Sequence, residues 1–255
     1  MKDKGQSFEE LVALARVADE LETEEGKVTQ SEIISILSAR ADRETMDKVT
    51  SLIRGNVFER QFAIRVLGGF KEIQVKIESD YDYDYRYEIP FRAEKHKIYA
   101  EVLSRETESR VLIPLLLTMH YEEDAQIATA ISSLRHHPDP EVRAKVTGQV
   151  FFLPQDEAIE MILELAEDED KTVRQHAIFT FRITPMLDSP AVRAALVKGL
   201  EDTYTPVRLE AMSALVDRLD ERAIPAILLD YFPETVFTVT EMYFSELAMF
   251  MISSL

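Results

Sequence analysis

The chain has 255 residues, 46% of them hydrophobic, enough for a substantial core in one elongated stack or two domains. Its formal net charge is −18, from 47 acidic and 29 basic residues, which argues against a nucleic-acid phosphate as direct partner because phosphate binding needs a basic footprint. Cysteine is absent, which removes disulfides, thiolate nucleophiles and cysteine-based metal sites.

The first residues, MKDKGQSFEELVALARVADELE, are charged and amphipathic and lack the apolar stretch of a secretory signal. Over residues 1–70 the pattern predicts N-terminal helical hairpins. Phe8, Leu11, Val12, Leu14 and Ala15 recur at helical spacing, as do Ile33, Ile34, Ile36 and Leu37 behind a Ser31 cap. Met46, Val49, Leu52 and Ile53 continue the pattern to Gly55 and Asn56. A further helix, ERQFAIRVLGGF from Glu59, ends at Gly68 and Gly69.

Residues 71–91 break this rhythm. Ile73, Val75 and Ile77 alternate with Gln74 and Lys76, which is strand periodicity. The run DYDYDYRYEIPF from Asp80 also alternates, with Tyr81, Tyr83, Tyr85 and Tyr87 on one side if extended and Asp82, Asp84 and Arg86 on the other. A small β-hairpin or extended insertion near 72–91 is expected. Helical patterns resume over 92–232, in HKIYAEVL, SRVLIPLLLTMH and AQIATAISSL.

From residue 134 a repeat becomes clear. PEVRAKVTGQVFFL starts at Pro140, TVRQHAIFTFRI at Thr172 and PVRLEAMSALVDRL at Pro206, so that Arg143, Arg174 and Arg208 lie 31 and 34 residues apart. A period of that size marks stacked helical hairpins, each burying its apolar face against its neighbours. Short polar turns, RHHPDPE, AEDEDKT and EDTYTP, lead into each Val-Arg step, and EAIEMILELA, PAVRAALVKGL and RAIPAILLDYF supply the second helices. The step at Val192 and Arg193 falls inside a second helix, out of phase, and reads as a decoy. Residues 233–255 read as a segment capping the stack, too polar at Glu241 and Glu246 for a membrane span.

This pattern resembles the HEAT-like repeats of phycobilisome lyases and many bacterial proteins, in which a turn Asp precedes Val-Arg and then Ala and Leu at helical spacing. Asp168 with Val173, Arg174 and Ala177 follows it, as does Asp202 with Val207, Arg208, Ala211 and Leu215. The first repeat departs, with His137 in place of the Asp and Val146 in place of the Ala. Arg60 and Ala63 stand in the same relation and suggest an earlier, degenerate copy. The resemblance implies an all-α fold, an α-solenoid of HEAT-like hairpins carrying the β insertion. Arg143, Arg174, Arg208, Asp168 and Asp202 are expected to act as structural staples between hairpins.

No constellation for catalysis is apparent, and neither a metal nor a cofactor is expected. His136 and His137 are adjacent in one turn without a third ligand at a recognised spacing. The His-Glu dipeptides of a HEAT-repeat iron hydroxylase are missing, as are a phosphate loop and a Gly-x-Ser-x-Gly elbow. A HEAT-like DNA glycosylase would need a basic concave surface, which the charge opposes.

Two features suit protein recognition. Residues 156–170 hold eight carboxylates and no basic residue, with Glu157, Glu160 and Glu164 on one helical face and Glu167 and Asp168 following. They form either a solvated outer face or one wall of an acidic groove. The second is the insertion's Asp80, Tyr81, Asp82, Tyr83, Asp84, Tyr85 and Tyr87, which either contact a partner or pack on adjacent helices. The expected function is a non-enzymatic protein-binding module in the cytoplasm. Its concrete form is an immunity protein neutralising a basic toxin domain such as a nuclease, a role known among HEAT-like proteins. A bilin lyase or phycobiliprotein chaperone and a generic assembly scaffold are the alternatives.

Overall fold

The computed structural model describes residues 5–70, 73–76, 85–119 and 125–231. Helix starts follow from local capping chemistry. Ser7 opens α1 (Phe8–Glu20) with a reciprocal box, its Oγ accepting from Glu10 N while Glu10 accepts from Ser7 N at 2.8 Å. Asn56 and Glu59 repeat that box at α4 (Val57–Gly68), and Asp42 caps α3 (Arg43–Leu52). Helix α2 (Glu24–Arg40) corrects the expected Ser31 cap: Thr23 caps it, accepting from Gly26 N at 3.1 Å, and Ser31 lies inside the helix. Gly26 is needed there, because a Cβ would stand 2.4 Å from the Ala18 carbonyl oxygen of α1.

The chain divides into two units, Met1–Ala130 and Ile131–Leu255. In the first, α1 packs on α2, while α4 packs on α2, α3 and α6 (Ser109–Thr118). Its core includes Leu11, Ile33, Leu37, Met46, Phe62, Leu67 and Leu112, all fully buried. Between α4 and α5 (Arg92–Leu103) the expected β insertion is present as β1 (Ile73–Lys76) and β2 (Tyr85–Glu88). The strands pair antiparallel, Ile73 opposite Glu88 and Lys76 opposite Tyr85. The division between units falls inside α7 (Ala125–Ser133).

The second unit is a stack of hairpins. Its first helices are α8 (Pro140–Val146), α10 (Lys171–Ile183) and α12 (Thr205–Asp217), with α10 packed against both others. Its second helices are α9 (Gln155–Leu165), α11 (Pro190–Gly199) and α13 (Ile224–Tyr231). Ala177 and Ala211, and Val146 at the same position of the first repeat, are buried, as are the Val residues that precede each Arg. Gly199 faces Ala211 so closely that an added Cβ would stand 3.0 Å away, so the small pair lets α11 approach α12. Helix α8 is shorter than its sequence suggests. It passes into a 3-10 turn over Thr147–Phe152, where Gly148 favours loss of the helix and Gln149 has left helical dihedrals. The capping segment expected over 233–255 lies outside the described residues.

Candidate functional site

Arg143, Arg174 and Arg208 each occupy the fourth position of a first helix. Helical Cα–Cβ bonds tilt toward the N-terminus, so an Arg at that position lies over the turn before its own helix. Arg143 Nη1 donates to the carbonyls of His137 at 2.8 Å and Pro138 at 3.2 Å. Its other edge grips the next turn, with Nε and Nη2 on the two Asp168 oxygens at 2.7 and 2.8 Å. Arg174 repeats this one hairpin on, donating to the Asp168 and Glu169 carbonyls and reaching Asp202 at 2.7 and 2.9 Å. Arg208 closes on the Asp202 carbonyl at 3.0 Å and on Thr205 Oγ1, with no carboxylate in ion-pair distance among the described residues.

Each turn aspartate serves two purposes. Asp168 Oδ1 also accepts from Asp170 N at 2.8 Å, and Asp202 Oδ1 accepts from Tyr204 N at 2.7 Å. Burial raises the Asp168 pKa, but the hydrogen bonds from Arg143 and Asp170 outweigh it and hold the carboxyl below its ordinary value. Arg174 is the main cause of the same lowering at Asp202. In the first repeat His137 Nδ1 accepts from Asp139 N at 3.1 Å, so the imidazole replaces the Asp as the acceptor that folds the turn. The adjacent His136 points elsewhere, 3.2 Å from Glu164, and no group of three metal-ligating side chains occurs among the described residues.

The same grammar appears twice where the sequence showed less. Arg60 Nη1 donates to the Gly55 carbonyl at 2.9 Å, while Nε and Nη2 grip Glu106 at 2.7 and 3.2 Å. Glu106 replaces the turn Asp and accepts from Glu108 N. Here the partners are 46 residues apart, because the β-hairpin and α5 intervene. The out-of-phase Arg193, read above as a decoy, is also a link. It binds Asp188 at 2.7 Å, and its Nη1 lies 3.4 Å from both Asp220 and the Arg218 carbonyl. Arg222 then holds the Asp220 carboxyl down to about 2. The available signal was an Asp five residues before the Arg, where the other turns place Asp or His six before.

The acidic stretch sorts into engaged and unengaged groups. Helix α9 buries Ala158, Met161, Ile162 and Leu165 and exposes Asp156, Glu157, Glu160 and Glu164. Glu164 meets Arg135 Nε at 3.0 Å, and Glu160 stands 3.8 Å from the same guanidinium. Glu167 pairs with Lys198, Asp168 with Arg143, and Asp170 caps α10. Asp156, Glu157 and Glu169 make no ion pair among the described residues. Asp168, placed above among the recognition residues, has its carboxylate taken up by Arg143, with 9% of the side chain exposed. Of the insertion residues, Asp80, Tyr81, Asp82, Tyr83 and Asp84 lie outside the described residues. Tyr85 and Tyr87 sit on β2, opposite Lys76 and Gln74.

No described helix is long and apolar enough to cross a membrane. No curated protein sequence matches the chain. The solved structures it resembles include YibA of E. coli, at a TM-score of 0.64 and 16% identity, covering 99% of this chain and 96% of that one. At lower TM-scores come an engineered protein (0.36, 15% identity, 96% and 97% covered) and the Pds5-Scc1 complex (0.42, 14% identity, 97% and 41% covered). The likeness to YibA concerns the fold. The family model for HEAT repeats matches residues 127–216, and that stretch of the chain is similar to HEAT repeats.

Proposed function

We propose that the chain is a protein-binding repeat module whose second unit captures a basic protein surface. The observation that carries this reading is the exposed acidic face of α9, where Asp156 and Glu157 have no cationic partner among the described residues, on a chain of net charge −18. Such a face steers a basic partner into encounter. HEAT repeats supply a scaffold that presents such faces, and here the ladder arginines neutralise the turn acids and leave the helix acids exposed. The concrete form proposed is a cytoplasmic immunity protein that covers the cations of a basic toxin domain, such as a nuclease. Residues 80–87 are proposed as a second contact, with tyrosines supplying area and aspartates charge.

Affinity capture with the full chain from its native organism, at low salt and with mass spectrometry, tests this. Recovery of a basic protein that dissociates as salt is raised is the expected result. Recovery of no basic protein contradicts the reading.

A further inference from the structure

In the first unit, α1, α2, α4 and α6 wall a groove of about 550 Å³. A chain of hydrogen-bonded side chains runs along it. Arg110 Nη2 donates to Asp19 Oδ1 at 2.7 Å and to Gln61 Oε1 at 3.2 Å. Gln30 Nε2 donates to the same Asp19 oxygen at 3.2 Å, and Gln30 Oε1 accepts from Arg65 Nη1. Arg65 Nη2 ends the chain on Ser31 Oγ at 3.3 Å. Six helical positions thus hold two guanidiniums but one carboxylate.

The imbalance falls on Arg65. Its hydrogen bonds end on neutral oxygens, and no carboxylate among the described residues stands within ion-pair distance of it. Burial lowers its pKa, with Asp19 pulling the other way. A guanidinium has five N–H donors, so most of this one's capacity is unused among the described residues. Half-burying an arginine beside neutral groups carries a desolvation cost that a bound anion would offset. The groove is not a general anion well. Glu22 lines it too, and Lys27 faces Glu24 at 2.6 Å. A strand of successive phosphates is therefore disfavoured, whereas one anionic group flanked by a cation or N–H is matched.

We infer that Arg65 is the receptor for a single carboxylate presented by a protein partner, with the Ser31 hydroxyl as a second donor. The site stands on its own geometry. Only the source of the carboxylate rests on the protein-binding reading above.

The test follows the Arg65 Nε–H resonance of the ¹⁵N-labelled full chain. N-acetylglutamate α-amide supplies the carboxylate and sodium phosphate the competing anion, each against sodium chloride at equal ionic strength. The carboxylate is expected to give a saturable shift at Arg65 and at the Ser31 amide. Ser31→Ala should weaken it, and Arg65→Lys, followed at the Ser31 amide, should weaken it about tenfold by losing the bidentate fork. Arg54→Gln, at an exposed turn position outside the groove lining, should leave it unchanged. Saturation by phosphate at about tenfold lower concentration than the carboxylate would overturn the carboxylate assignment. No shift beyond that of chloride would overturn the site. Neither result touches capture by α9, so failure here is distinguishable from failure of the protein-binding reading.

Discussion

Arg143 and Asp168, 25 residues apart, close on each other through two hydrogen bonds of 2.7 and 2.8 Å, with 10% and 9% of their side chains exposed. Removing one partner of so enclosed a pair leaves the other charge uncompensated, whereas removing both need not. Arg143→Met is expected to destabilise the chain by about 3 kcal/mol. In a urea-denaturation cycle with Asp168→Asn, which keeps the turn acceptor, the coupling should be about 1–3 kcal/mol. Additive losses would show that the pair is incidental. Because the folded Asp168 pKa is depressed, its contribution is fully present above the ordinary carboxylate range. It is lost as pH falls through the depressed value.

His137 performs the turn-folding task that an aspartate performs in the later repeats. His137→Asp should fold normally, since the new carboxylate can accept from Asp139 N as Asp168 does from Asp170. His137→Ala leaves that N–H without its acceptor and should cost about 1 kcal/mol in thermal or urea unfolding. Equal stability of the wild type and the Ala variant would contradict the assigned role.

Lys95 on α5 is 1% exposed, and its Nζ has no hydrogen-bond partner among the described residues, standing 5.7 Å from the Phe70 ring centroid. Burial lowers its pKa to about 8 from 10.5. Between those values the unfolded chain binds more protons than the folded one, so this group makes stability rise as pH increases through that window. Lys95→Met keeps the aliphatic packing and removes the charge. It should stabilise the protein near neutral pH by about 1–3 kcal/mol and flatten the rise between pH 8 and 10 relative to wild type. A destabilised variant with an unchanged pH profile would contradict this.

Much of the architecture was legible because each hairpin repeats the same local instructions. A Val that is buried, an Arg at the fourth helical position and a turn Asp recur at nearly constant spacing, and the strand alternation at Ile73 and Val75 marked the insertion. Ser31 misled because a polar residue before an apolar run looks like a cap, while Thr23, with Gly26 three residues on, set the true start. Arg193 was hidden because its turn Asp188 stands five residues before it rather than six, and because its second partner, Asp220, comes from the next turn and is brought near only by stacking. The same holds for Arg65, whose significance lies in which carboxylates are not near it. The acidic stretch of α9 showed its charge in sequence, but its cations come from elsewhere. Arg135 and Lys198 engage Glu164 and Glu167, and only packing reveals which carboxylates remain unengaged.

The most direct measurement of the central claim compares capture of a basic protein by the wild type and by a Glu157→Lys, Glu160→Lys variant. Both positions are exposed on α9, away from its buried face, so the fold should be kept, as circular dichroism would check. The account predicts that the variant associates at least about tenfold more slowly and loses most of its salt dependence. Equal association rates and equal salt dependence for the two proteins would contradict it.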